Sequence, residues 1–175
     1  RAATMPGYPS DTRSPFLGSV LDHPGFLELR LDSDQWVPVG PFPRAYDYFG
    51  DGSFYILDTP GHMQGHLSGL AQTGAQEWVF MGGDCCPHRD LLSGKRPVSV
   101  TVGPNGTKSF HKDPQTAIKT MDWVRRLEAD GRVFVALAHD ATLEKGMPLY
   151  PERLNGWKEE QWGKQICKNV RLLVI

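Results

Sequence analysis

The chain has 175 residues, of which 39% are hydrophobic and 22% charged, with a formal net charge of -1. That length holds one domain with a sizeable core, and the near-neutral charge excludes a polyanion-binding surface, so no nucleic acid partner is expected. No apolar run near the start has the length of a signal peptide or membrane anchor, and the three cysteines, with Cys85 and Cys86 adjacent, make no disulfide framework; a reducing, cytoplasmic setting away from membranes is expected.

Residues 1–25 are rich in Pro, Gly and Ser, which fixes turns without offering a periodic apolar face, and read as an extended surface segment. The alternation Phe26-Leu27-Glu28-Leu29-Arg30-Leu31 predicts a strand, and Gly40-Pro41-Phe42-Pro43 interrupts the backbone after it. Tyr46-Asp47-Tyr48-Phe49 and Ser53-Phe54-Tyr55-Ile56-Leu57, joined by Gly50-Asp51-Gly52, predict a hairpin. Residues 67–71 and 78–81 predict two more short strands across a polar turn.

Asp113 followed by Pro114 is an N-cap and first-turn signature, and Ala117, Ile118, Met121, Val124 and Leu127 then recur at helical spacing until Gly131. Arg125 and Arg126 fall on the solvated face of that helix. Residues 132–138 form a nearly continuous apolar strand of the kind buried on both faces, and helix followed by strand implies layered α/β packing. A last helix is expected over residues 152–166 with Trp157 and Trp162 on its buried side, and a terminal strand over residues 170–175.

Three segments, Thr59-Pro60-Gly61-His62-Met63-Gln64-Gly65-His66, Gly82-Gly83-Asp84 and Ala138-His139-Asp140, each follow an apolar run and place a metal-type side chain just beyond it. Zinc and similar cations take neutral imidazole and carboxylate ligands, and a catalytic site keeps a position open for water. Ligands this far apart in sequence exclude a zinc finger or ribbon, whose ligands come in close pairs; they fit a site assembled from the ends of successive strands. No His-x-His-x-Asp-His cluster is present to complete such a site.

These segments, with the Asp-Tyr-Phe-Gly-Asp-Gly turn before them, resemble the metallo-β-lactamase superfamily, within it the hydrolases grouped with acyl-homoserine lactonases and glyoxalase II, and more closely fungal members. The resemblance implies an αββα sandwich of which residues 1–175 are the C-terminal portion, its N-terminal part absent. It implies His62 as a ligand of one metal, Asp84 as the carboxylate bridging two, and His139 as a ligand of the second. Two zinc ions, or manganese or iron, would activate water against the carbonyl of a lactone, thioester, ester or amide.

By the same resemblance the remaining ligands lie before residue 1. The chain then gives at most two ligands to each metal, so it is expected to hydrolyse little by itself and to need a missing N-terminal half, in cis or in trans, or a second copy. The alternative is a non-catalytic α/β module binding a small molecule or protein through the old pocket rim.

Other polar residues carry smaller expectations. Asp84 and His88 are the candidate catalytic groups, His88 as a polarising or proton-transfer residue or else an exposed loop histidine. His66 is expected to orient its loop and not to bind metal. Cys85, Cys86 and Pro87 occupy the stretch where several lactonases of the family carry a tyrosine, and the two cysteines read as small buried apolar groups. Asp58 and Asp140 are expected behind the ligands, while His23 and His111 have no partner legible in the sequence.

Overall fold

Six strands form one sheet in the order in which they occur along the chain: β1 (Trp36–Val39), β2 (Phe42–Asp47), β3 (Phe54–Asp58), β4 (Leu67–Gly74), β5 (Glu77–Met81) and β6 (Val133–Ala136). A computed structural model of the chain describes residues 6–14, 16–100, 109–143 and 146–162. The first five strands are antiparallel neighbours, and β6 joins β5 in parallel, with Trp78 opposite Val133 and Met81 opposite Ala136. Parallel pairing needs a long crossover. It contains a one-turn helix α1 (Arg89–Leu92) and the long helix α2 (Pro114–Ala129).

The sequence explains these boundaries. At the β2–β3 turn the carboxylate of Asp47 accepts the backbone N–H groups of Gly50 and Gly52, at 3.0 and 2.9 Å, so the hairpin closes on its own aspartate. Gly40-Pro41 interrupts the backbone as expected, but as the tight connection between β1 and β2, with Pro43 inside β2. Helix α2 starts where Asp113 accepts the N–H of Thr116 at 3.0 Å and ends just before Gly131.

Strand alternation then sorts the two faces. Phe42, Ala45, Leu57, Leu70, Phe80 and Val135 point to the side covered by Ala117, Met121, Val124 and Leu127 of α2. Phe42, Leu57, Phe80 and Val135 are all fully buried, and burying one such side chain contributes about 1.5–3 kcal/mol. On the other side Val79 and Phe134 pack against Leu143, Trp157 and Trp162. Further along that face the cross-strand row Tyr46, Ile56, Gly69 and Met81 remains only partly covered.

Three expectations change. The chain clusters into two compact units, Arg1–Asp34 and Gln35–Ile175. In the first unit the described residues before 25 are folded into turns and a short 3-10 helix (Gly18–Asp22) and are not extended, and residues 26–31 form no strand; their alternating leucines find no neighbouring strand to pair with. In the second, residues 152–161 of the expected last helix form turns and irregular backbone and only Trp162 is helical, because Gly156 (φ +80°) and Gln161 (φ +56°) adopt left-handed backbone that a helix does not contain. Trp157 and Trp162 are nevertheless buried, as expected. The rest of that helix and the terminal strand lie outside the described residues. Among the described residues no helix is long and apolar enough to cross a membrane.

Candidate metal centre

All three sequence-selected side chains come together at one edge of the sheet. Beyond β3, residues 59–66 close a loop in which the N–H of Thr59 donates to the carbonyl of His66 at 3.1 Å. This loop lies against the start of α2: the N–H groups of Lys112 and Asp113 donate to the carbonyls of His62 and Gly61, and the Thr120 hydroxyl donates to the carbonyl of Pro60 at 2.6 Å. Gly61 makes that approach possible. With φ at +124°, a Cβ built on it would sit 2.3 Å from the backbone nitrogen of Ala117.

Asp84 and His139 follow the C-terminal ends of the neighbouring parallel strands β5 and β6, and pairing continues past both, with Gly82 N–H donating to Ala136 O and Ala138 N–H to Gly83 O. The result is a split carboxylate. Oδ1 of Asp84 lies 2.8 Å from Nε2 of His139, and Oδ2 lies 3.6 Å from Nε2 of His62. Phe110 walls the site, its ring 4.7 Å from that of His62 and 5.9 Å from that of His139.

No protein-family model matches the chain, but curated relatives align over nearly all of it. It is 34% identical to the metallo-hydrolase mfmC of Annulohypoxylon moriforme over 92% of this chain and 50% of that protein. It is 30% identical to the gamma-lactamase FDB1 of Fusarium pseudograminearum over 93% of this chain and 48% of that one. The chain is thus similar, over nearly its whole length, to fungal proteins named metallo-hydrolase and gamma-lactamase. It is also 33% identical to the cytochrome P450 monooxygenase mpaDE' of Penicillium brevicompactum over 94% of this chain, yet over only 21% of that protein. The chain therefore spans half or less of the length of these relatives. A solved N-acyl homoserine lactone hydrolase aligns with 63% of this chain and 39% of its own, at 20% identity and a TM-score of 0.48.

Among the described residues, no three His, Cys, Asp or Glu side chains stand as a group around a single metal position. His62 and His139 instead each face one oxygen of the same carboxylate, that of Asp84. The loop carrying His139 is fixed by its neighbour: the buried Asp140 accepts the Thr142 N–H at 3.1 Å and lies 3.5 Å from the guanidinium of Arg89, which also binds Glu128 of α2 at 2.7 Å. Asp140 thus anchors the loop and does not touch the imidazole.

The remaining expectations divide. His88 caps α1, its Nδ1 accepting the N–H of Asp90 at 3.0 Å, and its side chain is 61% exposed; the described contacts join it to Asp90 and not to Asp84. Asp58 does not support a ligand imidazole: it is buried and accepts both Nε and Nη2 of Arg44. Cys85 and Cys86 are buried, as small apolar groups are, and burial pushes the Cys85 thiol up to about 12. His66 orients the loop as expected, through Thr59 and the Asp84 amide.

His111 was not selected from the sequence. It is buried with neither ring nitrogen hydrogen-bonded, its ring lies 5.8 Å from that of His62, and burial first, then His62 and His66, push it down to about 4. Nothing in the sequence marks it except its place two residues before the Asp113 cap.

Proposed function

We propose that this chain contributes one half of a dinuclear metal centre in a hydrolase that opens lactones, cyclic amides or thioesters. The observation that carries the proposal is the division of the Asp84 carboxylate, one oxygen facing His139 and the other facing His62. A carboxylate shared by two cations needs that arrangement. His62 and Asp84 would hold one ion, and Asp84 and His139 the other.

Imidazole and carboxylate suit zinc, and also manganese or iron. Bound ions would polarise the substrate carbonyl and activate water. The chain's own residues do the rest. Phe110 limits water around His62 and His139, and a cavity of about 590 Å³ beside His139, lined by Met81, Ala136, Leu143, Met147 and Leu149 among others, gives room to an apolar part of the substrate. The gamma-lactamase among the relatives supports a cyclic amide within that substrate class.

A catalytic zinc takes three protein ligands, so each metal needs more than the described residues offer. We assign the missing ligands to a further segment whose sheet lies on the row Tyr46, Ile56, Gly69 and Met81 and completes an αββα sandwich. Metal analysis by plasma emission, on EDTA-free protein purified with and without that segment, tests the proposal. The expected result is about two ions per chain, with hydrolysis, only when both parts are present. Metal-free protein in both preparations refutes the hydrolase and favours a binding module.

A further inference from the structure

We infer that His66 is a positioning residue that sets Asp84 from behind through a one-directional hydrogen-bond relay; the inference rests on the proposal that Asp84 is the shared ligand. The backbone N–H of Asp84 donates to Nε2 of His66 at 3.2 Å. That nitrogen therefore carries no proton, and the neutral ring keeps its proton on Nδ1. Nδ1 donates to Oγ1 of Thr59 at 2.9 Å.

The hydroxyls fix the remaining direction. Oγ of Ser68 donates to the carbonyl of Gly82 at 3.1 Å, which uses its single proton, and the Thr59 hydroxyl shares its own between Oγ of Ser68 at 2.8 Å and the carbonyl of His66 at 3.3 Å. The relay thus runs from the amide of Asp84 through three side chains to a carbonyl two residues before it, and it encloses the turn Gly82-Gly83-Asp84. Thr59 and Ser68 are buried, so water does not compete for them. At Gly83, with φ at +54°, a Cβ would come within 3.3 Å of Nε2 of His66, so the bare backbone lets the ring approach.

An amide held at its N–H fixes the peptide plane before Asp84, and with it the direction in which the carboxylate leaves the chain. Two substitutions separate this role from simple packing. Glutamine extends far enough to bring an accepting oxygen to the place of Nε2, whereas asparagine places its amide nitrogen near Nδ1, able to donate to Thr59 but short of Asp84.

The test uses the full-length protein. Nitrogen-15 NMR of the histidine rings reads the tautomer in the parent, and chelator competition reads zinc affinity in His66→Gln and His66→Asn, each with an unfolding midpoint. The expected result is an Nδ1–H ring in the parent, a loss of ~10- to 100-fold in zinc affinity for His66→Asn, and an affinity close to that of the parent for His66→Gln at similar stability. An Nε2–H ring, or equal losses in the two variants, overturns the inference. A parent that takes up no metal but shows the Nδ1–H ring refutes the dinuclear site and leaves the relay standing.

Discussion

The contact between the His62 loop and helix α2 is open to a sharp test at Gly61. An alanine there meets two costs: its backbone, at φ +124°, lies where an L-residue is strained by about 1–3 kcal/mol, and its Cβ falls 2.3 Å from the nitrogen and 2.4 Å from the Cα of Ala117. Those are helix backbone atoms, which cannot swing aside as a side chain does, so overpacking adds about 1–3 kcal/mol. Gly65 in the same loop supplies the control, having φ +77° and nothing within 4 Å of the added Cβ. Gly65→Ala should therefore lose only the conformational part, about 1–2 kcal/mol, and Gly61→Ala about 2 kcal/mol more. Urea unfolding of both variants at low temperature, compared at equal m-value, measures the difference. Equal losses would refute the close approach of loop and helix.

Three further outcomes follow from buried groups. Arg44→Ala leaves the buried Asp58 carboxylate without its guanidinium and should cost about 2–4 kcal/mol by urea unfolding, at the lower end because Arg44 is 43% exposed; the pair Arg44→Met, Asp58→Leu should recover most of it, and a harmless Arg44→Ala would contradict the burial. Cys85 is protonated in the folded chain well above its ordinary value, so the stability this contributes is complete below about 9.0 and disappears as pH rises toward 12; at pH 8.5 iodoacetamide should label Cys85 and Cys86 only on unfolding, and rapid labelling of the native protein would refute it. For His111 the folded value, about 4, lies below the ordinary 6.5, so an unfolded chain takes up a proton that the folded one refuses, and up to about 3 kcal/mol present at pH 7 is lost as pH falls from 6.5 to 4. In metal-free protein His111→Gln should flatten that slope, and an unchanged slope would exclude His111 as its source.

What the sequence disclosed was local chemistry. Asp113-Pro114 with Gly131 bounded α2, and Gly50-Asp51-Gly52 between apolar runs marked a hairpin, because caps and turns depend on a few neighbouring residues. The meeting of His62, Asp84 and His139 was legible because each stands just past an apolar run, and strand ends at one edge of a sheet converge. The errors lie where tertiary context decides. The alternation of residues 26–31 carries a strand signal that no neighbouring chain takes up, and the apolar spacing around Trp157 and Trp162 mimics a helix although the chain turns twice through left-handed backbone. His111 was invisible because its burial comes from the packing of the loop before α2 against the His62 loop.

The two residues at the ends of β5 and β6 stand 55 positions apart in the chain, yet the gap between them is set by four rungs of a parallel ladder. Whatever the intervening excursion gains, loses or rearranges, that gap stays the same width. The spacing of Asp84 and His139 is thus a property of the paired strands and owes nothing to the residues that run between them.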